Sequence, residues 1–150
     1  PNLECLAMMN LCCGKNDLDV VSDSLKLRYL EISCCHDCRR LEVSARNLSS
    51  VVYFGGKQDV KFSYVPVLDE ASFGGPNSVL SIHSLHCSGC LSQLTKLTLS
   101  MFKIQDVVKN SIGFPHCGIL KQIEVKLSAV ADDSLLVFMH ARCCINSSCS

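Results

Sequence analysis

Apolar residues in this chain recur in a short strand-like cassette and not in a helical stripe. The clearest copy is Leu27-Arg28-Tyr29-Leu30-Glu31-Ile32-Ser33-Cys34-Cys35, which reads L-x-x-L-x-L-x-x-C with Ile32 in the third apolar slot. Further copies occupy 3–8, 94–101 and 120–127. Residues two apart on an extended chain point to the same side. Marking each strand by its two inward residues gives Leu6/Met8, Leu30/Ile32, Leu41/Val43, Val51/Tyr53, Val60/Phe62, Ala71/Phe73, Leu97/Leu99 and Ile123/Val125. The intervals between them are 24, 11, 10, 9, 11, 26 and 26 residues. Long intervals leave room for a helix or irregular return; short ones admit only a strand and a tight turn. The stretch 41–73 is therefore expected to be nearly all strand and turn, with Gly55-Gly56 and Gly74-Gly75-Pro76 supplying turn chemistry. All the strands are expected to run parallel in one continuous sheet. Glu31 and Glu42 would then lie side by side, with Arg40 near enough to neutralise them.

Helices are expected toward the two ends. The segment 16–21 opens on the capping residues Asn16 and Asp17. The segment 105–110 runs toward the helix breakers Gly113 and Pro115. The strongest candidate is 132–142, where Asp132 or Asp133 caps and Leu135, Phe138 and Met139 share a face. Residues 143–150 carry no period and read as an irregular tail after a domain covering 1–142. The cassette and its spacing match the leucine-rich repeat. They predict an α/β leucine-rich-repeat solenoid, ribonuclease-inhibitor-like, with a curved parallel sheet and sparse short helices on the convex side. One such unit cannot bury its own apolar face; stacked neighbours bury it together and leave an open sheet for binding.

Composition narrows the function classes. Apolar residues make up 48% and charged residues 19%, which argues against a disordered chain. Fourteen basic residues balance 14 acidic ones, with no long like-charge run, so nothing favours nucleic acid or a membrane surface as partner. No apolar run reaches the roughly 18 residues of a membrane span. The chain starts at Pro1 with no leader-like segment and reads as a piece of a longer protein. Twelve cysteines could be a disulfide framework in a secreted chain. Several occupy slots where the repeat wants a small buried residue, as Cys35 does. Reduced core thiols in a cytoplasmic or nuclear protein are the expectation.

The segment 27–56 carries a family resemblance. Leu30-Glu31-Ile32-Ser33-Cys34-Cys35, Leu41-Glu42-Val43-Ser44-Ala45, Asn47-Leu48-Ser49-Ser50 and Tyr53-Phe54-Gly55-Gly56 together resemble the repeat domain of plant F-box/leucine-rich-repeat proteins of the FBD-related type. Val65-Pro66-Val67-Leu68 and Asp132-Asp133-Ser134-Leu135-Leu136 fit the later repeats of that group. In that family an N-terminal F-box binds the Skp-type adaptor of a cullin ubiquitin ligase, and the repeats hold the substrate. The resemblance implies a substrate-recognition fragment of an SCF-type E3 ligase. Any adaptor contact would pass through an F-box, and no F-box-like stretch occurs in these residues. Arg46 departs from the family's usual proline, and the apolar repeat fades after Arg142. The rival readings are a repeat scaffold or immune-type recognition module with no ligase role, and a truncated non-functional product.

Chemistry-bearing motifs are few. Cys35-x-x-Cys38 and Cys87-x-x-Cys90 have zinc spacing, with His36, His83 and His86 beside them. Some fifty residues of stacked repeat would keep the two pairs apart, so no metal is expected. Cys87 follows His86 and Cys117 follows His116, but neighbours in a strand face opposite ways and make no nucleophile–base pair. With no phosphate loop and no nucleophile elbow, neither an enzyme nor a cofactor is expected. Strand alternation assigns the partner surface to the concave face: Glu31, Glu42, Phe54, Lys61, Ser72, Thr98 and Glu124. Phe54 is either an interface anchor or a ring packed under a loop or lining the turn before Gly55.

Overall fold

The computed structural model describes residues 2–10, 17–22, 26–35, 40–55, 59–75, 78–101, 121–131 and 135–144. Ten strands are described: β1 Cys5–Met9, β2 Leu18–Ser22, β3 Tyr29–Cys35, β4 Arg40–Ala45, β5 Ser50–Gly55, β6 Asp59–Tyr64, β7 Glu70–Gly74, β8 Lys96–Met101, β9 Gln122–Ala131 and β10 Leu135–Cys144. One helix, α1 Ser78–Cys87, and a 3-10 turn at Cys90–Gln93 lie between β7 and β8. From β1 to β7 the strands alternate between two sheets, and β8 to β10 stay in the first. The first has the order β1-β3-β5-β7-β8-β9-β10 and the second β2-β4-β6. Every pairing is parallel except β9 with β10. The result is a mostly parallel β-solenoid of about three turns, each turn giving one strand to each sheet.

The inward pairs read from the sequence are the core of both sheets. Leu30, Ile32, Val51, Tyr53, Ala71, Phe73, Leu97 and Leu99 of the first sheet are buried, as are Leu41, Val43, Val60 and Phe62 of the second. All belong to one apolar cluster, and the partly buried Leu6, Met8, Leu18 and Ile123 pack against it. Phe62 meets Phe73 edge to face across the core at 6.1 Å between ring centroids.

The expected single sheet is corrected here. Intervals of 9–11 residues are half a coil, enough to cross the core and no more, so the intervening strands form the second sheet. The full period at this level is 20 or 21 residues, from Leu30 to Val51 to Ala71. This exposes two further cassettes, Leu48-x-x-Val51-x-Tyr53 and Leu68-x-x-Ala71-x-Phe73, so six strands of the first sheet carry the pattern. Glu31 and Glu42 are not neighbours. Glu31 stands beside Ala7 and Val52, and Glu42 beside Asp19 and Lys61.

A backbone ladder aligns the cassettes. The carbonyl of Glu4 accepts the amides of Arg28 and Tyr29, that of Arg28 those of Ser49 and Ser50, and that of Ser49 those of Asp69 and Glu70. Asp69 serves Thr95 and Lys96, and Thr95 serves Lys121 and Gln122. The bonds span 2.8–3.2 Å. The residue before each accepting carbonyl is a leucine. Leu27, Leu48, Leu68 and Leu94 are buried, while Leu3, at the open end of the column, is 40% exposed.

Two expected helices are strands. Within 16–21, Leu18 and Val20 alternate into the core and Val21 outward, and β2 pairs with β4. At the C-terminal end, β10 pairs along its whole length with β9. Leu135 to Met139 is a continuous apolar run, which serves a buried strand as well as a helix. β10 also takes in Cys143 and Cys144, beyond the expected boundary at 142. The 105–110 candidate, Asp132 to Ser134 and residues 145–150 lie outside the described residues. The described residues of the stretch 41–73 are strand and turn as expected. The described helix, unforeseen, occupies the place of a fourth second-sheet strand. It buries Ser81, Ile82 and Leu85 and lies against β6. Gly75, buried at φ +100°, makes the turn into it, and a Cβ there would collide with the Gly55 carbonyl.

Leu48→Ala should cost roughly 2–5 kcal/mol through a core cavity. Leu3→Ala, in the same column but half open to solvent, should cost under about 1 kcal/mol. Urea unfolding of both variants measures the difference, and equal costs would contradict the column as the packing axis. Gly75→Ala should cost about 1–3 kcal/mol through backbone strain.

Candidate protein-interaction surface

Parallel pairing in strict register turns outward positions of the first sheet into straight rows. One row crosses six strands as Ala7, Glu31, Val52, Ser72, Thr98 and Glu124. Four of the seven expected site residues, Glu31, Ser72, Thr98 and Glu124, lie in it. The next row is Met9, Ser33, Phe54, Gly74, Ser100 and Lys126, which adds Phe54 to the same face. Small side chains at β7 and β8, with larger ones to either side, leave a shallow groove of about 230 Å³. Ser72 and Thr98 line it, with Tyr29 and Val52 toward one side and Glu124 and Lys126 toward the other. Thr98 is outward-pointing yet only 7% exposed, so it belongs to the groove's floor.

Charge is spread across this face. Glu70 and Lys96 sit side by side on β7 and β8. Lys126 Nζ lies 3.6 Å from Glu124 Oε1. The Tyr29 hydroxyl donates a 2.8 Å hydrogen bond to Glu31 Oε2, two residues along the same outward side. That bond, then burial and the charges of Glu31 and Cys5, push the Tyr29 phenol up to about 12. Phe54 is half-buried, its ring lying over Gly74 of the adjacent strand, where any Cβ would strike it. The ring thus packs across the sheet onto the adjacent strand.

Glu42 and Lys61 lie elsewhere. Both belong to the second sheet, whose outer face points away from the first. The seven expected residues therefore do not share one surface, because the half-coil spacing was read as a neighbouring strand of one sheet. Glu42 is held by Arg40, by the Ser63 hydroxyl and by Lys61, whose Nζ is 3.6 Å away. The Ser63 hydrogen bond, ahead of the lysine and arginine charges, holds the Glu42 carboxyl below its usual range against a smaller opposing effect of burial. A depressed carboxylate adds stability above its unfolded pKa and loses it as pH falls through the folded value.

The cysteine motifs resolve in part. Cys5, Cys87 and Cys90 are free thiols. Cys87 is exposed at the end of α1, and Cys90 is buried in the 3-10 turn with its Sγ 3.7 Å from the Ser88 carbonyl. Among the described residues no three His, Cys, Asp or Glu side chains gather as metal ligands. His36, Cys38, His116 and Cys117 and the side chains of Cys35 and His86 lie outside the described residues. Cys87 is helical and not in a strand, so its histidine neighbour is His83, one turn back, at 3.4 Å. The spacing His-x-x-x-Cys carries that signal only once the helix is recognised. Tyr29, Glu70 and Lys96 were likewise missed as surface residues, because the register decides which strands they flank.

No protein-family model matches the chain, and neither a curated protein nor a solved structure matches it.

Tyr29 should ionise late in an alkaline titration. Its raised pKa favours the neutral phenol in the fold, so the stability it adds is present below pH ~10 and fades as pH climbs toward ~12. Phenolate absorbance measures this. Tyr29→Phe should remove the late step, and an unchanged profile in that variant would contradict the Tyr29–Glu31 bond.

Proposed function

We propose that this chain is a protein-binding leucine-rich-repeat module, the substrate-recognition part of an SCF-type ubiquitin ligase of the F-box/leucine-rich-repeat kind. The observation that carries the binding half is the outward row Glu31, Val52, Ser72, Thr98 and Glu124 over a shallow groove. These side chains stand on a rigid parallel ladder and are not needed for the core. Such a face offers polar and charged contacts in fixed spacing to a protein partner, with the exposed part of Phe54 as an apolar element at its rim. The six cassettes of L-x-x-φ-x-φ form, where φ is apolar, recur at 20–26 residues, which supports the leucine-rich-repeat reading. The ligase role rests on the resemblance of 27–56 to the F-box/leucine-rich-repeat group. The Skp-type adaptor would be reached through an F-box elsewhere in the protein, and the repeat face would hold the substrate. Glu42 and Lys61 are left out of this surface, since their ion-pair cluster is on the opposite sheet.

Ser72→Arg should fill the groove and abolish capture of a partner by the chain, with thermal unfolding little changed. Lys61→Ala, on the other sheet, should leave capture intact. A partner that still binds Ser72→Arg at full strength would place recognition off this face. A captured partner should be ubiquitinated in cells and stabilised when the Skp-type adaptor is depleted. Turnover unaffected by that depletion would overturn the ligase role and leave the binding role standing.

A further inference from the structure

We propose that Cys87 is a reversible thiolation site, at which His83 activates the thiol and Lys61 admits acidic disulfides. Cys87 is exposed on the last turn of α1, and its Sγ lies 3.4 Å from His83 Nδ1. The spacing of four residues puts both on one helical side, so the pairing is built into the helix and does not depend on a loop. The thiol opens on a cleft of about 320 Å³ between α1 and β6, lined by Lys61, Phe62, Ser63, Ser84, Cys87 and Ser88. That volume falls at the lower end of the ~300–1,000 Å³ range of small-molecule clefts. Its lining brings the Lys61 ammonium and the Ser84 hydroxyl around one ring, while the Ser63 and Ser88 hydroxyls donate to Glu42 and to the Leu85 carbonyl; the lysine suits a small polar ligand with a carboxylate. Lys61 is 55% exposed, and its Glu42 partner is also held by Arg40 and Ser63. Turning Lys61 from Glu42 toward an anion in the cleft therefore leaves that carboxylate with two other partners.

The other two described thiols lack this setting. Cys90 is buried, and Cys5 stands on the edge strand β1 with Tyr29 as its lateral neighbour. With the imidazole proton on Nε2, His83 Nδ1 accepts the proton of Cys87. The thiolate attacks one sulfur of a small-molecule disulfide. The old S–S bond breaks as the bond to Cys87 forms, and the departing thiolate recovers the proton from His83. Cys87 is oxidised, half of the disulfide is reduced, and a second thiol reverses the exchange.

The test uses the reduced full chain and glutathione disulfide, with site-resolved mass spectrometry of quenched time points. Cys87 should be thiolated about tenfold faster than Cys5 in the same molecules. His83→Gln and His83→Asn should each bring the two rates together, while Cys90 stays unmodified as the sign of an intact fold. Lys61→Ala should slow reaction with glutathione disulfide and leave the uncharged hydroxyethyl disulfide unaffected. Cys87 reacting no faster than Cys5, or keeping its rate in both His83 variants, would overturn the proposal. Equal slowing of both disulfides by Lys61→Ala would remove Lys61 from it.

Discussion

Everything else in this fold depends on one repeated backbone contact. A carbonyl at the second cassette position accepts two amides from the next coil, directly after a leucine that fills the core. The contact fixes both the height and the phase of each coil. Once Arg28 is seated on Glu4, the strand that follows begins in register, and its alternation sends Leu30 and Ile32 inward and Glu31 outward. A slipped coil would lose these hydrogen bonds and the leucine packing together. Hydroxyls reinforce the ladder at two levels: Ser49 Oγ reaches the Arg28 carbonyl at 3.1 Å and Thr95 Oγ1 the Asp69 carbonyl at 3.5 Å.

This geometry explains what could be read from the sequence. Period-two alternation marked the inward pair of eight strands, because burial on one side leaves that trace whichever sheet the strand joins. It did not tell which strands pair. Leu41/Val43 sit eleven residues after Leu30/Ile32, and that interval fits both an adjacent strand and a crossing to an opposite sheet. Degeneracy hid the decisive clue. Val51, Tyr53, Ala71 and Phe73 replace leucine in two cassettes, so the 20-residue period did not stand out. Leu135 to Met139 is apolar at every position, and only the antiparallel partner β9 makes it a strand. The helix at 78–87 follows the turn-forming Gly-Gly-Pro, and among its described side chains only Ile82 and Leu85 are apolar residues at helical spacing that reach the core.

The candidate surface was legible to the same depth. Alternation places Glu31, Ser72, Thr98 and Glu124 on the outer side of their strands, and the register brings them into one row. Grouping them with Glu42 and Lys61 failed for the same reason as the single sheet. The two outer faces also differ in kind. Glu42 concentrates three partners on one carboxylate, a self-satisfied cluster. The first sheet spreads its charges, Glu31, Glu70, Lys96 and the Glu124–Lys126 pair, along parallel strands, with the groove between them.

The antiparallel hairpin of β9 and β10 has a consequence for self-association. A parallel solenoid is a growing stack: the free edge of one copy offers the same strand polarity that the opposite edge of another would require. Among the described residues β10 runs against the other strands of its sheet, so a β1 strand of a second copy that kept the stack's direction would meet it antiparallel. The one-carbonyl, two-amide seat could not form there, and the leucine column would be interrupted. At β10 the hairpin thus interrupts the seat that the parallel coils repeat among the described residues, and a further coil could not be laid on it by the same contact.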